Sequence, residues 1–446
     1  GVFTAAPDRT GKDDAMNYAY LHPRDEIALT LSRIYRYKMT TTSGGNLSIL
    51  DENGDIWITP SRVDKGTLKP SDIVCVKRDG SVTGPHAPSS EYPFHRAIYE
   101  ARPDIRAVVH AHPMALVAFS ISKKVPETKL IPQTYRWNGQ VGFAPYGVPG
   151  SEDLGQKIAA KFAEGFDSVV LESHGVCCGG KNLQDAFQRF ETLELCCKTE
   201  IKASTLGAPK FLTDQQLQLE SKSDVRLPAF AYDPEMMTVR EKELRNALCQ
   251  FVERGYRQRL LTGATGTFSA RIDADSFLIT PRPLDRFSVL PEEIVMIRKG
   301  KCEQGKTPSH AVLAHQAVYA AHPEVHAVIN ACPLNALAFS VCHKAIDTRT
   351  LPECYIFLRE VGLLPFETTF NDYEAMVRHM SLRHPAAVLC NNGVMVLGRD
   401  ILSAFDLLEV LECSAEAILD SLPIGGFVPM GQPVIDEIIR AFNLPA

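Results

Sequence analysis

Ala107-Val108-Val109-His110-Ala111-His112-Pro113 and Ala327-Val328-Ile329-Asn330-Ala331-Cys332-Pro333 are one phrase written twice, about 220 residues apart. A run of small and β-branched apolar residues stopped by proline predicts the end of a buried strand. Side chains two apart on a strand leave from the same face, so His110 and His112 point the same way. The second copy keeps the frame and lacks both histidines.

The repetition extends outward in both directions. Gly45-Asn46-Leu47-Ser48 returns as Gly266-Thr267-Phe268-Ser269, and Ile56 to Pro60 returns as Phe277 to Pro281. His95-Arg96-Ala97-Ile98-Tyr99 returns as His315-Gln316-Ala317-Val318-Tyr319, and Val170 to Val176 as Val388 to Val394. An offset that stays between 218 and 221 marks a tandem duplication. The expected organisation is a metal-binding first domain over residues 1–210, a linker over 211–238, and a degenerate second domain over 239–446. Residues 211–238 read as a connection, with at most a short helix, because Gln215-Gln216, Pro228 and Pro234 interrupt any period.

Inside the first copy, apolar spacing predicts a helix from His22 to Met39 and short strands at Leu47 to Ile49, Ile56 to Thr59 and Val74 to Val76. A further helix carries Phe94, His95, Ile98 and Tyr99, with Ser90 expected as its N-cap. A short helix follows from Met114 to Ser120. The stretch from there to about Gly150 reads as a long loop exposing Tyr135, Arg136, Trp137 and Tyr146, of a length that is more often functional than idle. Ser151 caps a helix to Glu164, and Leu183 to Ser204 is a long helix.

Composition excludes several classes. The 446 residues carry a formal charge of -6 with Lys and Arg evenly spread, so no basic tract awaits a nucleic acid. Apolar runs such as Met114 to Ser122 are far shorter than the roughly 20 residues of a membrane span. Gly1-Val2-Phe3-Thr4 lacks the pattern of a signal or transit peptide, and a cytoplasmic protein is expected. The twelve cysteines, several inside apolar segments, read as reduced packing residues.

His174 stands at another strand-to-turn junction, and with His110 and His112 it makes three imidazoles. Three such ligands leave one position of a tetrahedral zinc exchangeable, as in catalytic sites. Spacing alone also fits a hydrogen-bonded pair of histidines. The second copy shifts the weight toward the metal: His110, His112 and His174 become Asn330, Cys332 and Asn392, while Glu91 becomes Ala311. Four residues lost together suggest one site abandoned as a unit. Glu91, just before a helix, is the candidate base. Gly45 and Asn46 in a tight glycine turn, Ser89 and Ser90 beside a helix N-terminus, and the cation Arg62 are candidates for binding an anion. His95 reads as structural because His315 repeats it without the cluster, and Asp64 and Asp285 read as one shared fold contact.

These pieces resemble the class II aldolase/adducin family. The resemblance rests on Gly45-Asn46-Leu47-Ser48, Ile58-Thr59-Pro60-Ser61, Ser89-Ser90-Glu91, His110-Ala111-His112-Pro113, Pro149-Gly150-Ser151 and His174-Gly175-Val176. It covers Asp25 to about Ser204, and more weakly Glu243 to about Leu422. It implies an α/β/α three-layer sandwich with a mostly antiparallel sheet, repeated twice. It implies one divalent ion, zinc or alternatively manganese, on His110, His112 and His174, with Glu91 as acid/base. Asn46, Ser61, Ser89 and Ser90 would hold a substrate phosphate. Arg62 departs from the family's usual glycine and bears on whether the substrate is a sugar phosphate or a sugar acid.

The implied reaction is aldol cleavage through an enediolate. Epimerisation, dehydration and decarboxylation are alternatives on the same site, and a non-catalytic scaffold like the adducin head is the alternative of another class. Tyr135, Tyr146 or Tyr355 would serve as proton donor. Two tandem chains are expected to form a homodimer that mimics a four-domain ring, with no nucleic acid or membrane partner.

Overall fold

Strands form where small and β-branched residues can bury both faces between helical layers. The first domain has β1 (Asn46–Leu50), β2 (Ile56–Ile58), β3 (Val74–Val76), β4 (Val82–Thr83), β5 (Ala107–Ala111), β6 (Gly142–Ala144), β7 (Ser168–Leu171) and β8 (Gly175–Gly180). They lie in the order β4-β3-β2-β1-β5-β8-β7-β6, antiparallel except for β6 beside β7. The computed structural model describes residues 20–223, 226–283 and 285–444, so Gly1 to Thr4 lie outside the described residues.

The helices are α1 (Pro23–Arg36), α2 (Tyr92–Ala101), α3 (Met114–Ile121), α4 (Pro132–Asn138), α5 (Glu152–Ala163), α6 (Leu183–Leu206) and α7 (Asp214–Lys222). Alternation along β5 sorts its residues between two cores. Val108 packs with Phe94, Ile98 and Phe162 from α2 and α5, whereas Val109 packs with Leu31, Leu116 and Phe187 from α1, α3 and α6. Cys177 and Cys178 divide the same way, and both are buried thiols. The result is a three-layer sandwich, and the second domain repeats its strand order.

Three expectations need correction. Helix α2 starts at Tyr92, so its N-cap is Glu91 and not Ser90, with Pro93 in the first turn where no N–H partner is lost. The stretch after α3 is not a loop. It holds a 3-10 turn at Thr128–Leu130, then α4 opened by Pro132, then β6. Strand β6 exists only because β7 pairs with it, a long-range cause invisible to local spacing.

Residues 211–238, expected as a linker, contain α7, capped by Thr213 and Gln216. They also contain an edge strand, Ala229–Phe230, which joins the second sheet parallel to Lys301–Glu303.

The domains share one apolar core. Leu130, Ile131, Leu195, Cys196 and Ala203 from the first pack in the same cluster as Leu244, Leu337, Phe405 and Leu408 from the second. At this junction the buried Arg33 guanidinium donates to Asp285 at 2.5 and 3.1 Å and to the Tyr256 hydroxyl at 2.7 Å. The rings of Phe187 and Phe287 lie on it, each 4.3 Å away. Tyr256 in turn donates to Glu191 at 2.8 Å, which also accepts from Arg259 at 2.6 Å. Asp64 shares the turn contact of Asp285: each carboxylate accepts the amide two residues on, Gly66 at 2.9 Å and Phe287 at 3.0 Å, and Asp64 also accepts from the Thr67 hydroxyl at 3.0 Å. The reach to Arg33 belongs to Asp285 alone. Among the described residues, no helix is long and apolar enough to cross a membrane.

Candidate active site

The end of β5 and the start of β8 coincide because the strands run antiparallel, with Ala111 opposite Val176. The turn before β8 puts Ser173 at φ 55°, and it swings His174 beside His112. Gly175 must be glycine there: a Cβ would lie 2.6 Å from the Ala111 carbonyl and 2.7 Å from the His112 ring. Gly45, at φ 75°, is pressed against β5 in the same way, its Cβ position 2.8 Å from the His110 carbonyl.

His110, His112 and His174 bring one nitrogen each to within 4.8 Å of the others. The Nε2 atoms of His110 and His112 are 3.1 Å apart. Bonds of about 2.0–2.1 Å in a tetrahedron place ligand atoms roughly 3.3 Å apart, so His110 and His112 already stand at ligand spacing and the third ring has to close in from at most 4.8 Å. His110 Nδ1–H donates to the Val176 carbonyl at 2.9 Å, which leaves Nε2 as the ligand atom. Burial and the His110 and His174 rings push His112 down to about 3. Burial and His110 push His174 down to about 4. Both rings are therefore neutral at physiological pH, as ligation requires.

Glu91 joins this cluster. Its carboxylate is 3.3 Å from His110 Nε2 and 3.3 Å from His174 Nε2. Burial acts to raise its pKa. The His110 and His174 rings and the Asn46 amide outweigh that, and they hold the carboxyl far below the usual carboxylate range.

A buried relay lies behind Glu91. A carboxylate only accepts, so the Asn46 amide nitrogen donates to it, at 2.6 Å, and the Asn46 oxygen must face His95, at 2.5 Å. His95 is then protonated on Nε2, and its Nδ1 accepts from Ser48 at 2.7 Å, while Ser48 contacts the Tyr99 hydroxyl at 2.6 Å. Burial, with His110 beside it, keeps His95 neutral by pushing it down to about 3. Register explains the placement: Asn46 on β1 is directly opposite His110 on β5.

The family model described as "Class II Aldolase and Adducin N-terminal domain" matches residues 25–201 and 246–419. The chain belongs to this family. Among similar proteins, the 5-deoxy-D-ribulose 1-phosphate aldolase of Bacillus thuringiensis serovar kurstaki is 32% identical over 200 residues, 44% of this chain and 92% of that protein. The L-fuculose phosphate aldolase of Methanocaldococcus jannaschii is 35% identical over 36% of this chain and 86% of its own length. The 3-oxo-tetronate 4-phosphate decarboxylase of Escherichia coli is 31% identical over 39% of this chain and 84% of its own length. A solved L-fuculose 1-phosphate aldolase is 32% identical, covering 44% of this chain and 93% of its own, with a TM-score of 0.40.

In this class II aldolase family member, the anion candidates occupy two adjoining loops. Ser61 N–H donates to the Ala87 carbonyl at 3.0 Å and Ser89 N–H to the Thr59 carbonyl at 3.1 Å, so the two loops run side by side. Ser90 and Arg62 are exposed, Arg62 at φ 57°, and the Asn46 amide is committed to Glu91 and His95. Tyr135 lies beside the Lys129 ammonium at 5.6 Å, Tyr355 beside Arg359 at 4.8 Å, and Tyr146 is 54% exposed.

Sequence reasoning missed Ser48, Tyr99 and Lys65. Ser269-His315-Tyr319 repeats Ser48-His95-Tyr99 with the same bonds, Ser269 to His315 and Ser269 to Tyr319 both at 2.7 Å. That repetition was the available signal. Lys65, matched by Arg286, is buried with its ammonium on the Pro60 carbonyl at 2.8 Å, and burial pushes it down to about 8.

Proposed function

We propose that the first domain is a metal-dependent lyase that cleaves a carbon–carbon bond of a phosphorylated ketose. One observation carries the reading: three imidazoles converge beside a carboxylate that lies 3.3 Å from two of them. A divalent ion bound by His110, His112 and His174, zinc or manganese, supplies Lewis acidity that stabilises negative charge on the substrate's oxygens.

Glu91 takes the proton from the carbon beside the carbonyl in the condensation direction and returns it in the cleavage direction. The relay from Tyr99 through Ser48, His95 and Asn46 positions that carboxylate. Ser61, Ser89 and Ser90 bind the phosphate, with Arg62 at the pocket's rim. The three similar proteins all act, by name, on phosphorylated sugars or sugar acids, which supports the substrate class.

We further propose that two chains close into a ring of four domains. The junction pair Arg33 and Asp285 is repeated in sequence as Arg254 and Asp64, both exposed in the single chain. Glu191, which meets Tyr256 and Arg259, is repeated as Glu409, with Tyr35 and Lys38 as the matching partners. A second copy docking head to tail would join these halves. It would also lay the helix Pro352–Leu358, which carries Tyr355 and the 46% exposed Phe357, over the histidine cluster as α4 lies over the second domain.

The test is product identification by NMR after metal-loaded protein meets a panel of ketose 1-phosphates and 3-oxo acid phosphates. An aldehyde plus dihydroxyacetone phosphate supports the lyase. Carbon dioxide release alone would replace aldol cleavage with decarboxylation, and no turnover of either group would overturn the proposal. Light scattering of the purified chain reads the ring directly as twice the chain mass, and a monomer contradicts it.

A further inference from the structure

The second domain's abandoned site is a cavity of about 580 Å³, walled partly by the first domain through Gln133, Arg136, Trp137, Gln184 and Gln188. That volume falls within the roughly 300–1,000 Å³ of small-molecule sites. Its floor is the slot that holds the histidine cluster in the first copy. There Asn330, Cys332, Asn392 and Ala311 stand where His110, His112, His174 and Glu91 stand in the first.

Loss of the metal ligands was accompanied by a gain. Ser61 is replaced by Arg282 and Ser90 by His310, while Ser89 persists as Ser309 and Asn46 gives way to Thr267. All four side chains line the cavity. Arg282 donates to His310 Nε2 at 3.1 Å and to the Pro308 carbonyl at 3.0 Å, and the Thr267 and Ser309 hydroxyls are hydrogen-bonded to each other. With Nε2 accepting, His310 carries its proton on Nδ1.

The cavity's acidic side chains are already engaged. Glu220 pairs with Arg136, Asp285 with Arg33, Asp185 with Lys181 at 3.6 Å, and Glu293 accepts the Leu290 amide at 2.8 Å.

Five polar atoms of the cavity lining are buried without a hydrogen-bond partner among the described residues: Gln133 Oε1, Gln184 Oε1 and Nε2, Gln188 Oε1 and His310 Nδ1. Gln188 is only 5% exposed. Burying such atoms unsatisfied costs about 1–3 kcal/mol each, so a cavity lining that carries five of them points to a polar occupant. The amides complement hydroxyl groups, which both donate and accept. The Arg282, His310 and Ser309 end complements a group with several acceptor oxygens and negative charge.

We infer that the second domain is a metal-free receptor for a small phosphorylated polyol, with the phosphate at Arg282, His310 and Ser309 and the hydroxylated body along Gln133, Gln184 and Gln188. This assigns the degenerate copy a binding role of its own, independent of whether the first domain is a lyase.

The experiment is isothermal titration of the EDTA-treated full chain with D-ribose 5-phosphate, with ribose, inorganic phosphate and D-gluconate as controls. Ribose 5-phosphate binds, and ribose and gluconate bind at least tenfold more weakly. Arg282→Gln weakens binding at least about tenfold and His310→Gln about fivefold, as loss of a charged and a neutral donor to phosphate predicts. Lys124→Ala, an exposed side chain of the first domain, leaves it unchanged. Arg282 also supports a loop through Pro308, so His310→Gln, checked by its thermal transition, keeps the test decisive if Arg282→Gln fails to fold. Absence of heat with ribose 5-phosphate, unchanged affinity in His310→Gln, or equal affinity for gluconate would each overturn the inference.

Discussion

Asp285→Ala removes both oxygens that hold Arg33 at the domain junction. The Arg33 side chain is 2% exposed and that of Asp285 8%, so water cannot replace the lost carboxylate without opening the shared core. Breaking a buried ion pair from one side costs about 3–5 kcal/mol. The Tyr256 hydroxyl, 2.7 Å away, and the two phenylalanine rings, 4.3 Å away, remain as partial compensation. The lower end, about 3 kcal/mol, is therefore expected, or roughly 6–12 °C in the transition of domains this size.

Differential scanning calorimetry and urea titration read this loss. The double change Arg33→Met with Asp285→Leu removes both charges and should recover most of it. Asp64→Ala provides the internal control. Asp64 is exposed in the single chain and holds only its own turn, so its loss costs dilute protein about 1 kcal/mol, well short of the Asp285→Ala loss, while weakening any two-chain ring. An Asp285→Ala protein within about 0.5 kcal/mol of the parent, or a double variant no better than the single one, would refute the reasoning.

Two further outcomes follow from the site and its surroundings. Glu91→Gln keeps the metal ligands and removes the base, so kcat on the substrate found by NMR should fall by roughly 10²–10⁴ with metal content unchanged; equal kcat would remove Glu91 from the chemistry. Burial raises Glu26 from 4.5 to about 7, so the folded state holds that proton more tightly than the unfolded chain. Stability then falls as pH rises from 4.5 to about 7, and the full cost persists above it. Glu26→Gln should accordingly raise the melting temperature at pH 8 and not at pH 4.5, and an equal gain at both pH values would contradict the shift.

Much of this was legible in the chain because the duplication supplied its own comparison. The strand ending at His112, the helices carrying His95 and His315, and the loss of four site residues as a set could all be read from two aligned copies. What escaped was long-range. Strand β6 depends on β7, and Asp285 reaches Arg33 across 252 residues, where spacing along the chain carries no signal. The Ser48 to Tyr99 relay was visible as a repeat, but only the fold shows that in the first copy it ends on Glu91 through Asn46. The second copy carries Thr267 in place of Asn46, and its relay ends on Asn330 at 2.7 Å.

Metal analysis of the full-length protein by mass spectrometry tests the central claim most directly. The account predicts about one divalent ion per chain, retained when Asn330 and Cys332 are changed to alanine and lost when His110 and His112 are. A folded parent that turns over substrate without metal, or an ion that survives loss of both histidines, would contradict it.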